Sequence, residues 1–248
     1  MKYEKPQKGN PRKLTVRQHV LPKASIARFA NKDGQVSLFR IKNRDILLVN
    51  PSADIFCVKR IWDQRAESGD SKRIEDRFQV LADNIVSGKI SDINSDQKHI
   101  VNSIFALWHM RSKLRMAPLG DQSANGLVGP ALTKEEEESL EANHYTYVRS
   151  NGAISGRQMA GLHIQIGIMA ICRQMSDALW GIVRADSGEF IVPDHCPDGI
   201  IPLSPTISLV NPSKSGVIPR EGVEEINRYM LEASSEYYFA RDISKCLL

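Results

Sequence analysis

The sequence predicts an α+β fold, mostly helical, with short antiparallel strands and hairpins. Three observations lead there. Segments 71–88 and 95–116 repeat apolar residues at helical spacing over several turns. Short runs rich in β-branched and aromatic residues, at 35–41 and 45–50, flank a polar turn at 42–44. Strands and helices nowhere alternate in the regular way that builds a doubly wound parallel sheet.

Each element follows in order. Residues 1–14 read as a flexible basic arm with Pro6 and Pro11, and 15–248 as a single α+β domain. Pro22 opens a short helix over 22–30, with Ile26, Phe29 and Ala30 on one side. Strands 35–41 and 45–50 form a hairpin, and 53–62 supplies a third short strand. Helix 71–88 carries Ile74, Phe78, Leu81 and Ile85 on one face and stops at Gly88. Helix 95–116 takes Ser95 as its N-cap, with Ile100, Ile104 and Trp108 in one row and Val101 and Phe105 beside it.

Residues 117–130 are a loop rich in Gly, Pro, Ser and Asn, a seam within the domain. Thr133 and Glu136 form a capping box that opens a helix over 133–148. Its acidic run suits a helix N-terminus and reads as a solvated face. Segment 155–180 predicts a central buried helix facing the core through Met159, Leu162, Ile166, Met169 and Ala170. Gly161 and Gly167 weaken that helix in isolation but admit a close neighbour. Segments 179–185 and 188–194 predict a hairpin, 205–211 another strand, and 221–241 a closing helix packed through Ile226, Met230 and Ala233.

Composition excludes several classes. The 42% hydrophobic and 25% charged content rules out wholesale disorder. No apolar run approaches the ~20 residues of a membrane helix, and the charged start lacks the apolar stretch of a secretory signal. The expectation is a soluble cytoplasmic protein of bacterial type, without a membrane partner. Cys57, Cys172, Cys196 and Cys246 are far apart and form no CxxC pair, which argues for reduced thiols. The net charge of +4 is mild but unevenly placed. Lys2, Lys5, Lys8, Arg12, Lys13, Arg17 and Lys23 crowd the first 23 residues against one acid, Glu4. Such an arm can serve as a solubilising tail, or contact nucleic-acid phosphates.

The chain has no GxxxxGK[ST], no GxGxxG after a strand, no GxSxG and no HExxH. The common nucleotide-binding, hydrolase and zincin signatures are thus missing. What remains are polar residues in apolar surroundings. His19 precedes the first helix, and Glu75 adjoins Ile74. His109 and Arg111 close the apolar stretch of helix 95–116, and Asp194 and His195 end a strand. His163 sits in an apolar segment and reads as a core histidine, while His99 and His144 read as surface. Trp62, Trp108 and Trp180 read as core anchors, since no basic residues alternate with them.

The blocks "QHVLP", "IARFA", "IED", "ALWHMRS", "FIVPDHCP" and "IPLSPTISL" resemble, in order, those of an uncharacterised bacterial family of unknown function. The likeness spans residues 16–240. That family has an N-terminal His-x-x-Pro block, a Glu-containing helix, a helix ending near Gln-x-x-Arg, and late Ser-Asp-Asn-Pro and Pro-Leu-Ser-Pro blocks. The resemblance places its His on His19, its Glu on Glu75, its Arg on Arg111 and its late Asp on Asp194. This chain departs at His109, where the family has Gln, and at 193–197, where Pro193, Asp194, His195, Cys196 and Pro197 replace the Ser-Asp-Asn-Pro block.

These residue types suit phosphodiester chemistry. A histidine near neutrality moves protons, and an arginine clamps phosphate. Glu75 and Asp194 orient the histidine or ligate a hard cation, for which Mg2+ is the natural choice. The sharper expectation is therefore a nucleic-acid-directed phosphodiesterase, a nuclease of the kind used in bacterial or phage defence or as a toxin effector. The alternative is a non-enzymatic interaction or regulatory module. There Glu75 and Arg111 form a structural ion pair and Asp194 satisfies a turn. A third arrangement, a metal site from His19 or His195 with Asp194 and Cys196, suffers from the adjacency of its ligands.

Overall fold

The computed structural model describes residues 3–247; Lys2, counted in the basic arm, lies outside them. β1 (Arg17–His19) leads into the short α1 (Lys23–Ala27), whose N-cap is Pro22. The hairpin β2 (Val36–Arg40) and β3 (Asp45–Val49) follows as expected. β4 (Cys57–Lys59) returns to pair with β1 rather than with the hairpin, which sets His19 opposite Cys57. α2 (Gln64–Ser68) and α3 (Asp70–Val86) come next, and Gly88 ends α3 with the positive φ that glycine tolerates. α4 (Ser95–Met116) is capped by Asn94, not Ser95. The Asn94 side chain takes the amide of Gln97, whose own side chain takes the amide of Asn94, so the N-cap sits one residue earlier than expected and is part of a capping box.

β5 (Gln122–Ser123) pairs with β6 (Ala153–Ile154) across α5 (Lys134–Ala142), and α6 (Gly156–Gln174) follows. The chain ends through β7 (Gly181–Ala185), β8 (Val192–Pro193), β9 (Ile200–Ser204), β10 (Ile207–Val210), β11 (Gly216–Ile218), α7 (Arg220–Glu232) and β12 (Tyr237–Ala240). Two four-stranded sheets have the orders β11-β7-β10-β9 and β3-β2-β12-β8. The architecture is α+β, with several small, mainly antiparallel sheets. Among the described residues no helix is long and apolar enough to cross a membrane.

One apolar core joins α3, α4 and α6 to the inner faces of both sheets, with Trp62, Trp108 and Trp180 buried in it. A second core lies under α7, around Phe190, Val223, Met230 and Tyr238. Four expectations are corrected here. The predicted hairpin over 179–194 does not form: β7 joins one sheet and β8 the other. Glu189 through Val192 are buried throughout, so this run crosses between sheets and has no solvent face to alternate. The closing helix stops at Glu232, and Tyr237–Ala240 becomes a central strand between β2 and β8.

The third correction concerns α6. Its predicted core row is the outward one: Leu162, Ile166 and Met169 are exposed, as is His163, while Ala160, Gly161 and Ile164 face inward. Small residues at Ala160 and Gly161 let the helix approach its neighbours closely, and this favours that face over the bulkier one. The fourth concerns residues 3–14, which are docked rather than free. Leu14 is buried, Glu4 is held by Arg149 and Arg157, and the amide of Gln7 donates to Glu138.

Candidate functional site: an arginine-lined cavity

Two of the four expected side chains, those of Glu75 and Arg111, meet, and His19 joins them through its carbonyl oxygen alone. Arg111 points from α4 into the core and is 1% exposed. Its Nη1 donates to Glu75 Oε1 at 2.6 Å and to the His19 carbonyl oxygen at 3.2 Å. Its guanidinium carbon lies 5.2 Å from the centre of the Trp62 ring. Nη2 lies 3.7 Å from Glu67 Oε2, which also accepts from Trp62 Nε1 at 2.6 Å. Burial raises the Glu67 pKa against the opposing pull of Arg111. His19 faces the opposite way: its Nε2 lies 3.2 Å from the Pro51 carbonyl oxygen. Burial lowers the His19 pKa, with that carbonyl pulling weakly upward, so the ring is neutral at pH 7 and Nε2–H donates. This cluster ties β1, α2, α3 and α4 together.

Asp194 belongs to another corner. Its Oδ1 accepts from the Ser235 amide at 2.9 Å, and its Oδ2 from the Glu236 amide at 3.0 Å and Ser235 Oγ at 3.2 Å. His195 Nδ1 lies 3.1 Å from Oδ1. Burial works against the charge, yet His195 and the two amides outweigh it and hold the Asp194 pKa below its usual value. Its oxygens fasten the link between α7 and β12. The expected grouping of Asp194 with His19, Glu75 and Arg111 is thus corrected: its partners are backbone amides, whereas Glu75 faces a guanidinium. For the same reason Glu75 and Asp194 do not fit a shared Mg2+. Among the described residues no three His, Cys, Asp or Glu side chains converge as a metal site. Cys196 is equally unsuited, since burial pushes its thiol pKa far up.

A different set of residues surrounds a cavity of about 640 Å³. Its walls include Lys59 at the end of β4 and Arg60 just after it, the 118–121 loop, Arg149 before β6, and Ser155 and Arg157 at the start of α6. None of the four expected residues lines it. Behind the wall, α5 presents Glu137 and Glu141, one turn apart and both buried. The acidic run of α5 is therefore not the solvated face expected of it, although its capping box forms as expected. Glu141 Oε2 accepts from Arg60 Nη2 and from Arg157 Nε, each at 2.8 Å. Glu137 accepts from Arg149 Nε and Nη2, each at 2.9 Å. Tyr147 OH bridges, donating to Glu137 at 3.1 Å and accepting from Arg157 Nη2 at 2.9 Å.

These inner carboxylates fix the planes of three guanidinium groups. The outer N–H groups converge on one residue, Glu4. Arg149 Nη2 donates to both Glu4 carboxylate oxygens, at 3.0 and 3.1 Å. Arg157 Nη1 donates to Glu4 Oε2, and Arg60 Nη1 to the Glu4 carbonyl at 2.9 Å. Burial disfavours the Glu4 charge, but Arg157 and Arg149 overcome it and set its pKa below the usual value. Two buried donors on the cavity wall, Ser155 Oγ and Arg60 Nε, have no partner. Arg60 also holds a left-handed backbone, φ 49°, although it is buried and not glycine. Such a conformation costs on the order of 1 kcal/mol and persists only where surrounding contacts enforce it. Chemically, the arrangement is a preorganised anion site.

Comparison with family models, with curated proteins and with solved structures finds no match. The arginine site also escaped sequence reasoning. Two signals were present: the lone acid, Glu4, in a basic segment, and Glu137 and Glu141 spaced one turn apart in an acidic helix. Neither reveals that Arg60, Arg149 and Arg157, far apart in the chain, face them.

Proposed function

We propose that this protein is a non-catalytic binding module that takes up an anionic ligand in the arginine-lined cavity. One observation carries the reading: the guanidinium groups of Arg149 and Arg157, each oriented from behind by a carboxylate, donate to the single Glu4 carboxylate, with Arg60 bonded to the Glu4 carbonyl, beside a space large enough for a small-molecule ligand. Around the cavity Lys59, Arg60, Arg149 and Arg157 face Glu4, Asp121, Glu137 and Glu141. Glu4 is the acid on which Arg149 and Arg157 both converge. A nuclease would need the His19, Glu75, Arg111 and Asp194 side chains to act together, whereas Arg111 is bonded to Glu75, the His19 ring to the Pro51 carbonyl and Asp194 to the 235–236 amides.

The test is calorimetric titration at low ionic strength with phosphate, sulfate and citrate, alongside incubation with labelled RNA and DNA with and without Mg2+. Saturable anion binding, weakened about tenfold by Arg149→Gln through loss of one charge-assisted contact, is the expected outcome. No nucleic-acid cleavage accompanies it. Binding equal in the variant, or Mg2+-dependent cleavage lost in His19→Ala, would contradict the reading.

A further inference from the structure

Resting on the binding-module reading, we infer that the ligand carries a phosphate group seated where the Glu4 carboxylate now lies, and that Glu4 is an internal stand-in which leaves when the ligand arrives. The first support is the unused donors. Ser155 is 1% exposed, its Oγ bonds to nothing, and it stands on the cavity wall at the N-terminus of the 19-residue α6. As N-cap it makes no side-chain capping bond, and Asp121 Oδ1 accepts the Gly156 amide at 2.9 Å in its place. Arg60 Nε is likewise buried and unpartnered. Glu4, with two oxygens in one plane, engages Arg149 and Arg157 and leaves both donors idle. A phosphate presents three terminal oxygens in a tetrahedral array and a larger charge, so it can serve more of these groups together.

The second support is the way Glu4 is held. The docked segment runs from Glu4 to the buried Leu14. Between them its ties are polar: Gln7 to the buried Glu138 at 2.8 and 3.2 Å, Arg12 to Glu135 at 3.2 Å, and Lys134 to the Lys5 carbonyl. Lys5, Lys8, Arg12 and Lys13 are exposed. Lifting the segment off therefore breaks mostly polar contacts, with the buried Leu14 anchoring its far end. The remaining cavity volume, with Glu4 in place, suits a phosphate monoester attached to a small organic body.

The experiment titrates full-length wild type, Glu4→Gln and Ser155→Ala with inorganic pyrophosphate, adenosine monophosphate, a 5′-phosphorylated oligonucleotide and citrate. It also follows trypsin cleavage after Lys5, Lys8, Arg12 and Lys13. Glu4→Gln keeps the shape of the side chain and removes its charge, so phosphate probes are expected to bind about tenfold tighter. Ser155→Ala is expected to bind them about tenfold more weakly. Saturating phosphate probe is expected to speed cleavage of the wild-type segment. Adenosine monophosphate binding without oligonucleotide binding assigns the phosphate to a free small molecule, and the reverse assigns it to a nucleic-acid end. Equal affinity of wild type and Glu4→Gln, with an unchanged cleavage rate, overturns the stand-in role and leaves the cavity reading intact. Citrate binding as tightly as pyrophosphate overturns the phosphate assignment. Failure of every probe to bind either wild type or Glu4→Gln overturns the cavity reading itself.

Discussion

Arg111 shows how one side chain can look catalytic in sequence and prove structural in the fold. It is enclosed, stacked on Trp62, and shared among Glu75, Glu67 and the His19 carbonyl. Truncating it in Arg111→Ala would leave the largely buried Glu67 and Glu75 carboxylates without their shared cation beside an emptied volume. Loss of one partner from a buried charge cluster costs about 3–5 kcal/mol, and that drop is expected in denaturant unfolding. A loss under about 1 kcal/mol, the range of surface ion pairs, would show that the cluster is solvated in solution. The meeting of Glu75 with Arg111 was legible, because both stood on strongly periodic helices next to core positions. The place of Asp194 was not. Its partners are main-chain amides of Ser235 and Glu236 and a serine hydroxyl, which side-chain chemistry in the sequence cannot announce.

Among the elements, α6 separates what periodicity can and cannot reveal. The helix was legible, and so was the purpose of its glycines. A Cβ at Gly161 would stand 2.2 Å from Asp63 Oδ1, and one at Gly167 would stand 2.3 Å from Met110 Sδ. The two contacts differ in kind. Asp63 is buried and its Oδ1 caps α2 through the Ala66 amide at 2.9 Å, so it cannot yield without uncapping that helix. Met110 is only partly buried and ends in a flexible thioether. Gly161→Ala is therefore expected to destabilise by about 1–3 kcal/mol despite the better helix former. Gly167→Ala is expected to lie within about 1 kcal/mol of wild type. Thermal unfolding of both variants measures the contrast, and equal shifts would refute it. The choice between two apolar rows was not legible. Leu162, Ile166 and Met169 repeat as regularly as a core row, and the decision fell to the small residues opposite. Tyr237–Ala240 was misread for a related reason: four consecutive buried residues in a central strand show no period of two.

Across the whole molecule, the α+β class was legible because long periodic helices and short turn-bounded strands coexist. The pairing of strands was not: β12 from the chain's end lies between β2 and β8, and β4 pairs with β1 across the helix and hairpin between them. The same long-range closure builds the arginine cavity, drawing on the N-terminal segment, the residues after β4, α5 and the start of α6. A basic patch inferred from the first residues thus turned out to hold an acid that pairs with Arg149 and Arg157. The most direct measurement is a crystal structure grown with inorganic pyrophosphate. The account predicts a phosphate group bonded to Arg157, Arg149 and Ser155 Oγ, with the Glu4 carboxylate moved off the guanidinium groups. Pyrophosphate bound only elsewhere, with Glu4 still seated on Arg149 and Arg157, would contradict it.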